Sequence, residues 1–125
     1  MSVRRIVPNI PVGTGKEPGA ETVAMRANAA FYQLLGFEEV MNLGWIMTLA
    51  SPSEPAVQVS IMTADRTGPV TPDMSVEVTD VDAVHEALVR EGAEIVYGPQ
   101  DEEWGVRRFF VRDPNGRVVN VLSHR

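Results

Sequence analysis

Asp73 and Glu77 share parity in the run Asp73-Met74-Ser75-Val76-Glu77-Val78, so an extended chain sends both carboxylates to one face. A carboxylate held on such a face can act as a general base, and with a nearby imidazole it can hold a cation. His124 and His85 are the two histidines. His124 stands near the C-terminus, and a site built from Asp73, Glu77 and His124 is one arrangement the sequence allows. His85 falls among Val81, Val84 and Leu88, the buried stripe of a helix, and reads as a surface or boundary residue. The chain has no cysteine, which excludes thiol chemistry, disulfides and zinc-thiolate sites.

The elements that must position these groups follow from periodicity. Ile6–Val12 reads as a strand with Pro8 and Pro11 marking an edge or a missing ladder bond. Residues 13–19 form a glycine-rich polar loop, and Ala20–Leu35 an amphipathic helix closed by Gly36. Strands follow at Phe37–Asn42, Trp45–Ser51 and Ala56–Met62, and a connector at Thr63–Pro72. The order then repeats: strand Asp73–Thr79, helix Val81–Glu91, and strands Glu94–Tyr97, Val106–Arg112 and Arg117–Leu122. The last two are joined by the turn Asp113-Pro114-Asn115-Gly116. Setting Val12 on Val78 superposes the two halves in element order. They share almost no residue identity.

At 125 residues the chain is sized for one domain, with module one at about 1–65 and module two at about 71–125. With 44% hydrophobic and 22% charged residues the composition is that of an ordinary globular protein. Eleven basic against seventeen acidic side chains give a net charge of −6, which removes the footprint needed for nucleic acid. No apolar run approaches the ~18 residues of a membrane span, and Met1–Val12 lacks the apolar core of a signal peptide, so the expected location is cytoplasmic.

Alternation separates an apolar set on the strands (Val57, Val59, Ile61; Met74, Val76, Val78) from a polar one. The polar set comprises Gln58 and Ser60, Asp73, Ser75 and Glu77, with Asn9 on the first strand and Asn120 on the last. It lines a concave face or looks onto bulk water. Arg107 and Arg108 are adjacent, so one points to the polar face and its neighbour away. Arg107 shares parity with Phe109, and Arg108 with Phe110. Arg107 and Phe109 enter the candidate set on that basis. An arginine on the polar face either recognises an anion or is neutralised by Asp73 and Glu77. Trp104, in a loop behind Asp101-Glu102-Glu103, closes over a ligand or packs on a neighbouring surface. Trp45 and Met47 alternate and supply an apolar wall.

Five ordered motifs carry a resemblance: Phe31-Tyr32 with Leu35-Gly36-Phe37; Val76-x-Val78-x-Asp80-Val81-Asp82; Glu91-Gly92-Ala93; Trp104-Gly105; and Phe109-Phe110-x-x-Asp113-Pro114-Asn115-Gly116. Together they resemble the vicinal-oxygen-chelate superfamily of glyoxalases, bleomycin-resistance proteins and extradiol dioxygenases. The resemblance implies an α+β fold of two βαβββ modules whose eight strands form a curled mixed sheet, a cup, and a homodimer that completes the cups. Each motif also has a structural reading. Phe31 and Tyr32 serve as core anchors, Asp80 and Asp82 as helix caps, and residues 113–116 as a turn.

Metal-dependent members of the superfamily place His, Glu or Gln at four strand positions. Here the resemblance puts Val7, Gln58 or Ser60, Asp73 and Asn120 in those slots. That set has one anion and no imidazole, too little to offset dehydration of a first-row divalent metal. No metal or other cofactor is therefore expected.

Two functions remain. The first is a metal-free small-molecule binding protein, like the bleomycin-resistance branch, holding a neutral or cationic, aromatic ligand among Asn9, Trp45, Gln58, Ser60, Asp73, Ser75, Glu77, Trp104, Arg107, Phe109 and Asn120. The second is a lyase, isomerase or dioxygenase using Asp73 or Glu77 as general base, or an unconventional metal set.

Overall fold

In the computed structural model, residues 2–13, 23–63, 65 and 67–125 are described. Most of the glycine-rich loop and the first residues of the expected first helix lie outside them. The elements are β1 (Val3–Pro11), α1 (Val23–Leu34), β2 (Glu38–Asn42), β3 (Ile46–Ala50), β4 (Gln58–Met62), β5 (Met74–Val78), α2 (Val81–Arg90), β6 (Ile95–Asp101), β7 (Val106–Arg112) and β8 (Val118–His124). This is βαβββ twice. Hydrogen bonding orders the strands β2-β3-β4-β1-β5-β8-β7-β6, an eight-stranded mixed sheet with two edges, β2 and β6. β1 runs parallel to β4 and β5 parallel to β8, while β2–β3, β3–β4, β6–β7 and β7–β8 pair antiparallel. The fold class is therefore α+β, two βαβββ modules sharing one mixed sheet.

The chain divides into two compact units, Val7–Thr71 and Met1–Ile6 with Pro72–Arg125. The boundary falls inside β1, which starts at Val3 and so is longer than the sequence pattern indicates. Its first residues belong with the second module: Ser2 donates its backbone N–H to Thr79 Oγ1 at 3.1 Å, and its carbonyl accepts from Thr79 N at 3.0 Å.

In the Val7–Thr71 unit, Met25 and Ala29 of α1 pack on Met47 and Leu49 of β3 and Val59 and Ile61 of β4. Tyr32 and Phe37 close this core edge-to-face, with centroids 6.2 Å apart. Phe31, expected as a core anchor beside Tyr32, is 58% exposed instead. In the other unit, Val81, Val84 and Leu88 of α2 cover Val78, Phe109, Val111 and Val121. Asp80 caps α2 by accepting from Ala83 N at 3.0 Å, as its spacing indicates. The Asp113–Gly116 turn closes the β7–β8 hairpin: Asp113 Oδ1 accepts from Asn115 N at 2.8 Å and Arg117 N at 2.9 Å. The Arg117 N–H bond holds the Asp113 carboxyl below its usual range.

β6 continues past Tyr97, where the sequence pattern ends it, through Gly98-Pro99 to Asp101, with a register irregularity between Tyr97 and Gln100. Gly98 makes that passage possible. Its φ is +79°, and an added Cβ would lie 2.6 Å from the Arg108 carbonyl oxygen.

Candidate polar site

In the Pro72–Arg125 unit the face of the sheet away from α2 carries two rows of side chains fixed by strand register. One row is Ser75, Asn120, Phe110 and Tyr97; the other is Glu77, Leu122, Arg108 and Gln100. Asn120 is buried and donates Nδ2 to Ser75 Oγ at 3.1 Å, while its Oδ1 is buried with no hydrogen-bond partner. Glu77 lies between the Arg5 guanidinium, with Nε at 3.1 Å, and the His124 imidazole, with Nδ1 at 2.8 Å. Its side chain is 15% exposed and that of His124 58%, so the imidazole is presented outward on a partly shielded carboxylate.

Beyond this stands an aromatic cluster around one guanidinium. Arg108, 4% exposed, lies 4.8 Å from the Phe110 ring centroid, 5.1 Å from Trp104 and 5.4 Å from Tyr97. Its Nε donates to Glu102 Oε1 at 3.2 Å, and the Tyr97 hydroxyl donates to the same oxygen at 2.5 Å. That bond to a carboxylate raises the Tyr97 pKa above its ordinary value, with burial acting in the same direction. Trp104 remains half exposed, with Arg108 under one face of the indole.

Three sequence expectations are corrected here. Phe109 does not reach the polar face: it is fully buried under α2, with its ring 5.0 Å from that of His85, and Phe110 takes its place. Arg107 faces α2, where Asp82 accepts from Nε at 3.1 Å and Asp101 from Nη1 at 3.0 Å; the arginine on the polar face is Arg108. Those two carboxylates raise the Arg107 pKa further, Asp82 contributing most. Met47 is no pocket wall, being fully buried in the α1 core. Asp73 is half exposed and spent on structure: its Oδ2 accepts from Val118 N at 2.8 Å, and Arg117 lies 3.6 Å from Oδ1. The residue paired with Asn120 on β5 is Ser75.

The Val7–Thr71 unit holds the other candidates. Asn9 pairs in register with Ser60, and Ser60 Oγ meets Thr48 Oγ1 at 2.8 Å in a buried contact. Gln58 turns back, donating Nε2 to the Pro55 carbonyl at 2.9 Å. Trp45 precedes β3, and its carbonyl accepts from Thr63 N at 2.9 Å. Sequence reasoning did not include Thr48, Tyr97, Glu102 or Phe110 among the candidates.

A cavity of about 930 Å³ lies on the other side of the Pro72–Arg125 unit, between α2 and the sheet, lined by Val76, Val84, Leu88, Val111, Val119 and Val121 among others. Val76 and Val119 in its lining are partly uncovered by the ten-residue α2.

The order of elements and the two parallel strand pairs define a two-module βαβββ protein. The family model described as Glyoxalase/Bleomycin resistance protein/Dioxygenase superfamily matches residues 22–121, and the chain belongs to that superfamily. No curated protein matches. Among solved structures, a superfamily member from Vibrio splendidus 12B01 is 14% identical with a TM-score of 0.62, covering 98% of this chain and 99% of its own. Methylmalonyl-CoA epimerase from Mycobacterium tuberculosis is 18% identical with a TM-score of 0.57, over 98% and 87%. The Mn(II)-bound glyoxalase from Novosphingobium aromaticivorans is 19% identical with a TM-score of 0.63, over 97% of this chain and 38% of that one. At these identities the likeness concerns the fold.

The superfamily implies a metal in some members, and the residues here do not fit one. Val7 has no donor atom, Gln58 and Ser60 are turned to Pro55 and Thr48, Asp73 is held by a backbone N–H, and Asn120 is neutral and bonded to Ser75. Among the described residues no group of three or more His, Cys, Asp or Glu is placed to hold an ion.

Proposed function

We propose that this protein binds a small neutral molecule without a metal, through the polar face of its Pro72–Arg125 unit. The observation that carries the reading is the Asn120 side chain, whose buried Oδ1 lacks a partner beside a satisfied Nδ2. A buried acceptor left unpaired costs about 1–3 kcal/mol, which a ligand N–H or O–H recovers where the face opens to admit it. Trp104, Tyr97 and Phe110 supply aromatic surface next to it. The carboxylates of this face argue against the cationic ligand that composition alone suggests, because Glu77 and Glu102 each already carry a guanidinium. A planar, uncharged heteroaromatic or amide ligand fits best.

Thermal-shift screening against uncharged aromatic metabolites and antibiotics tests this. A saturable stabilisation that Asn120→Leu and Trp104→Ala both abolish is the expected result. Saturable binding indifferent to both variants, or a stoichiometric first-row metal in protein purified without chelator, overturns it.

One observation favours a second reading, that of a lyase or isomerase. The pair His124 Nδ1–Glu77 Oε2 at 2.8 Å orients an exposed imidazole in the manner of a general base. Under this reading His124→Gln abolishes solvent-deuterium exchange into a bound ligand's acidic C–H and leaves ligand affinity intact.

A further inference from the structure

The cavity of about 930 Å³ between α2 and the sheet has no part in the ligand reading above, which concerns the opposite face of the sheet. The strand side chains that line it are chiefly valines, Val76 on β5, Val111 on β7, and Val119 and Val121 on β8. Valine is short and stiff at χ1, so these side chains neither reach across the gap nor fold into it. Opposite them, Val84 and Leu88 of α2 stay only partly buried. Phe109 is bulky enough to bridge helix and sheet, but its ring packs 5.0 Å from that of His85 and takes no part in the lining. A preformed apolar pocket results, within the ~300–1,000 Å³ typical of small-molecule sites.

The charged groups of the lining gather where α2 ends and the β7–β8 turn begins. Glu91 is the C-cap of α2, Glu94 follows it, and Asp113 opens the turn. Against these three carboxylates stands one base among the described residues, Arg112. It is already engaged, Nε donating to Glu94 at 3.1 Å and Nη1 to the Gly116 carbonyl at 2.9 Å. The Glu91 carboxylate is exposed and takes no ion pair among the described residues. It stands at the negative end of the α2 dipole, an unfavourable placement that a cation relieves. We propose that this cavity is a second ligand site, taking an amphipathic organic monocation of the alkylamine or arylalkylamine class. The apolar body lies between Leu88 and Val119, and the ammonium meets Glu91. An organic anion of the same shape meets three carboxylates at the mouth, and a second copy of the chain, with its net charge of −6, meets the same repulsion. This site is independent of the polar-face reading.

NMR titration of the full chain with n-alkylamines tests the proposal. n-Octylamine, an ammonium ion at neutral pH, is expected to bind saturably, moving the methyl resonances of Leu88 and Val119 and leaving the Trp104 indole resonance in place. Shortening the probe from octyl to heptyl to hexyl weakens binding about fourfold per methylene, as burial of each CH₂ requires. Octanoate at the same concentrations leaves Leu88 and Val119 unmoved. Glu91→Gln, exposed and outside the core, weakens octylamine about two- to fivefold, the range of an exposed ion pair, whereas Glu38→Gln in the other unit does not. Val119→Phe fills the cavity and abolishes binding; the Glu91 variant decides the matter even where that replacement disturbs the fold. No saturable shift at Leu88 and Val119, octanoate binding as tightly as octylamine, or shifts confined to the Trp104 side of the sheet overturns the proposal. An affinity untouched by Glu91→Gln also overturns it.

Discussion

Replacing Glu102 by Gln removes the carboxylate that meets Arg108 Nε at 3.2 Å and leaves the shape of the β6–β7 loop intact. Both side chains are shielded, at 9% and 4% exposed, so water repays little of the lost attraction. Breaking a buried ion pair by removing one partner costs about 3–5 kcal/mol. Here Tyr97, Phe110 and Trp104 still offer the guanidinium their faces, about 0.5–1 kcal/mol each, and the Gln carbonyl still accepts a hydrogen bond. The net loss is therefore about 2–3 kcal/mol, or roughly 8–12 °C in Tm for a domain of this size. Urea denaturation followed by circular dichroism measures it. Removing both charges, as in Glu102→Gln with Arg108→Met, leaves no buried ion and is expected to fall within about 1 kcal/mol of wild type. Tyr97 gives an independent readout. Its folded pKa is raised by the bond to Glu102, so its contribution to stability is complete below the unfolded value of about 10 and is lost as pH climbs past it. Glu102→Gln returns the tyrosinate absorbance titration toward that ordinary value and flattens the alkaline slope of stability. A variant within about 0.5 kcal/mol of wild type, with the Tyr97 titration unmoved, would refute the claim that this cluster is formed in solution.

Gly98→Ala forces a Cβ onto the Arg108 carbonyl oxygen at a positive φ; a loss of about 2–4 kcal/mol in denaturant titrations is expected, and a neutral result would mean β6 and β7 do not approach this closely. Ser60→Ala leaves the buried Thr48 hydroxyl without its 2.8 Å partner and should cost about 1–2 kcal/mol, most of it restored by adding Thr48→Val. Asp113 is held below its ordinary pKa, so its stabilising effect is present above about pH 4 and disappears as pH falls through the lowered value. Asp113→Asn should flatten the acid limb of a stability–pH curve in that window, with the neutral-to-basic limb unchanged.

Element order was legible because each signal was local. Asp80 before Val81, Gly92 after Glu91 and the Asp113–Gly116 turn punctuate the second module through their own backbone bonds. Which arginine faces which side was not settled by alternation alone, since Arg107 and Arg108 are equally compatible with it. The hairpin register settles it. Residues 113–117 make the turn, so Arg112 meets Val118, and counting back pairs Phe110 with Asn120 and Arg108 with Leu122. Once Asn120 is placed on the polar face, Arg108 and Phe110 must share it. The signal was in the sequence, in the loop length. The continuation of β6 through Gly98-Pro99 was not, because that pair reads as a stop and the strand resumes only through tertiary packing on β7.

Strand register also sets the chemistry of the polar pairs. In each unit two parallel strands place an amide next to a hydroxyl, Asn9 beside Ser60 and Ser75 beside Asn120. Neutral oxygens and an amide N–H do little to offset the hydration that a divalent cation gives up. They suit a ligand that is itself uncharged and carries both donors and acceptors, since neither partner then loses a full charge's solvation. Acidic residues remain at this face, but as anchors. Glu77 is bonded to Arg5 and His124, and Glu102 to Arg108 and Tyr97. The two carboxylates are thereby paired within the protein, and among the described residues the Asn120 carbonyl oxygen is a buried acceptor of this face with no partner. That distribution supports recognition by neutral hydrogen bonding and aromatic stacking over recognition by charge.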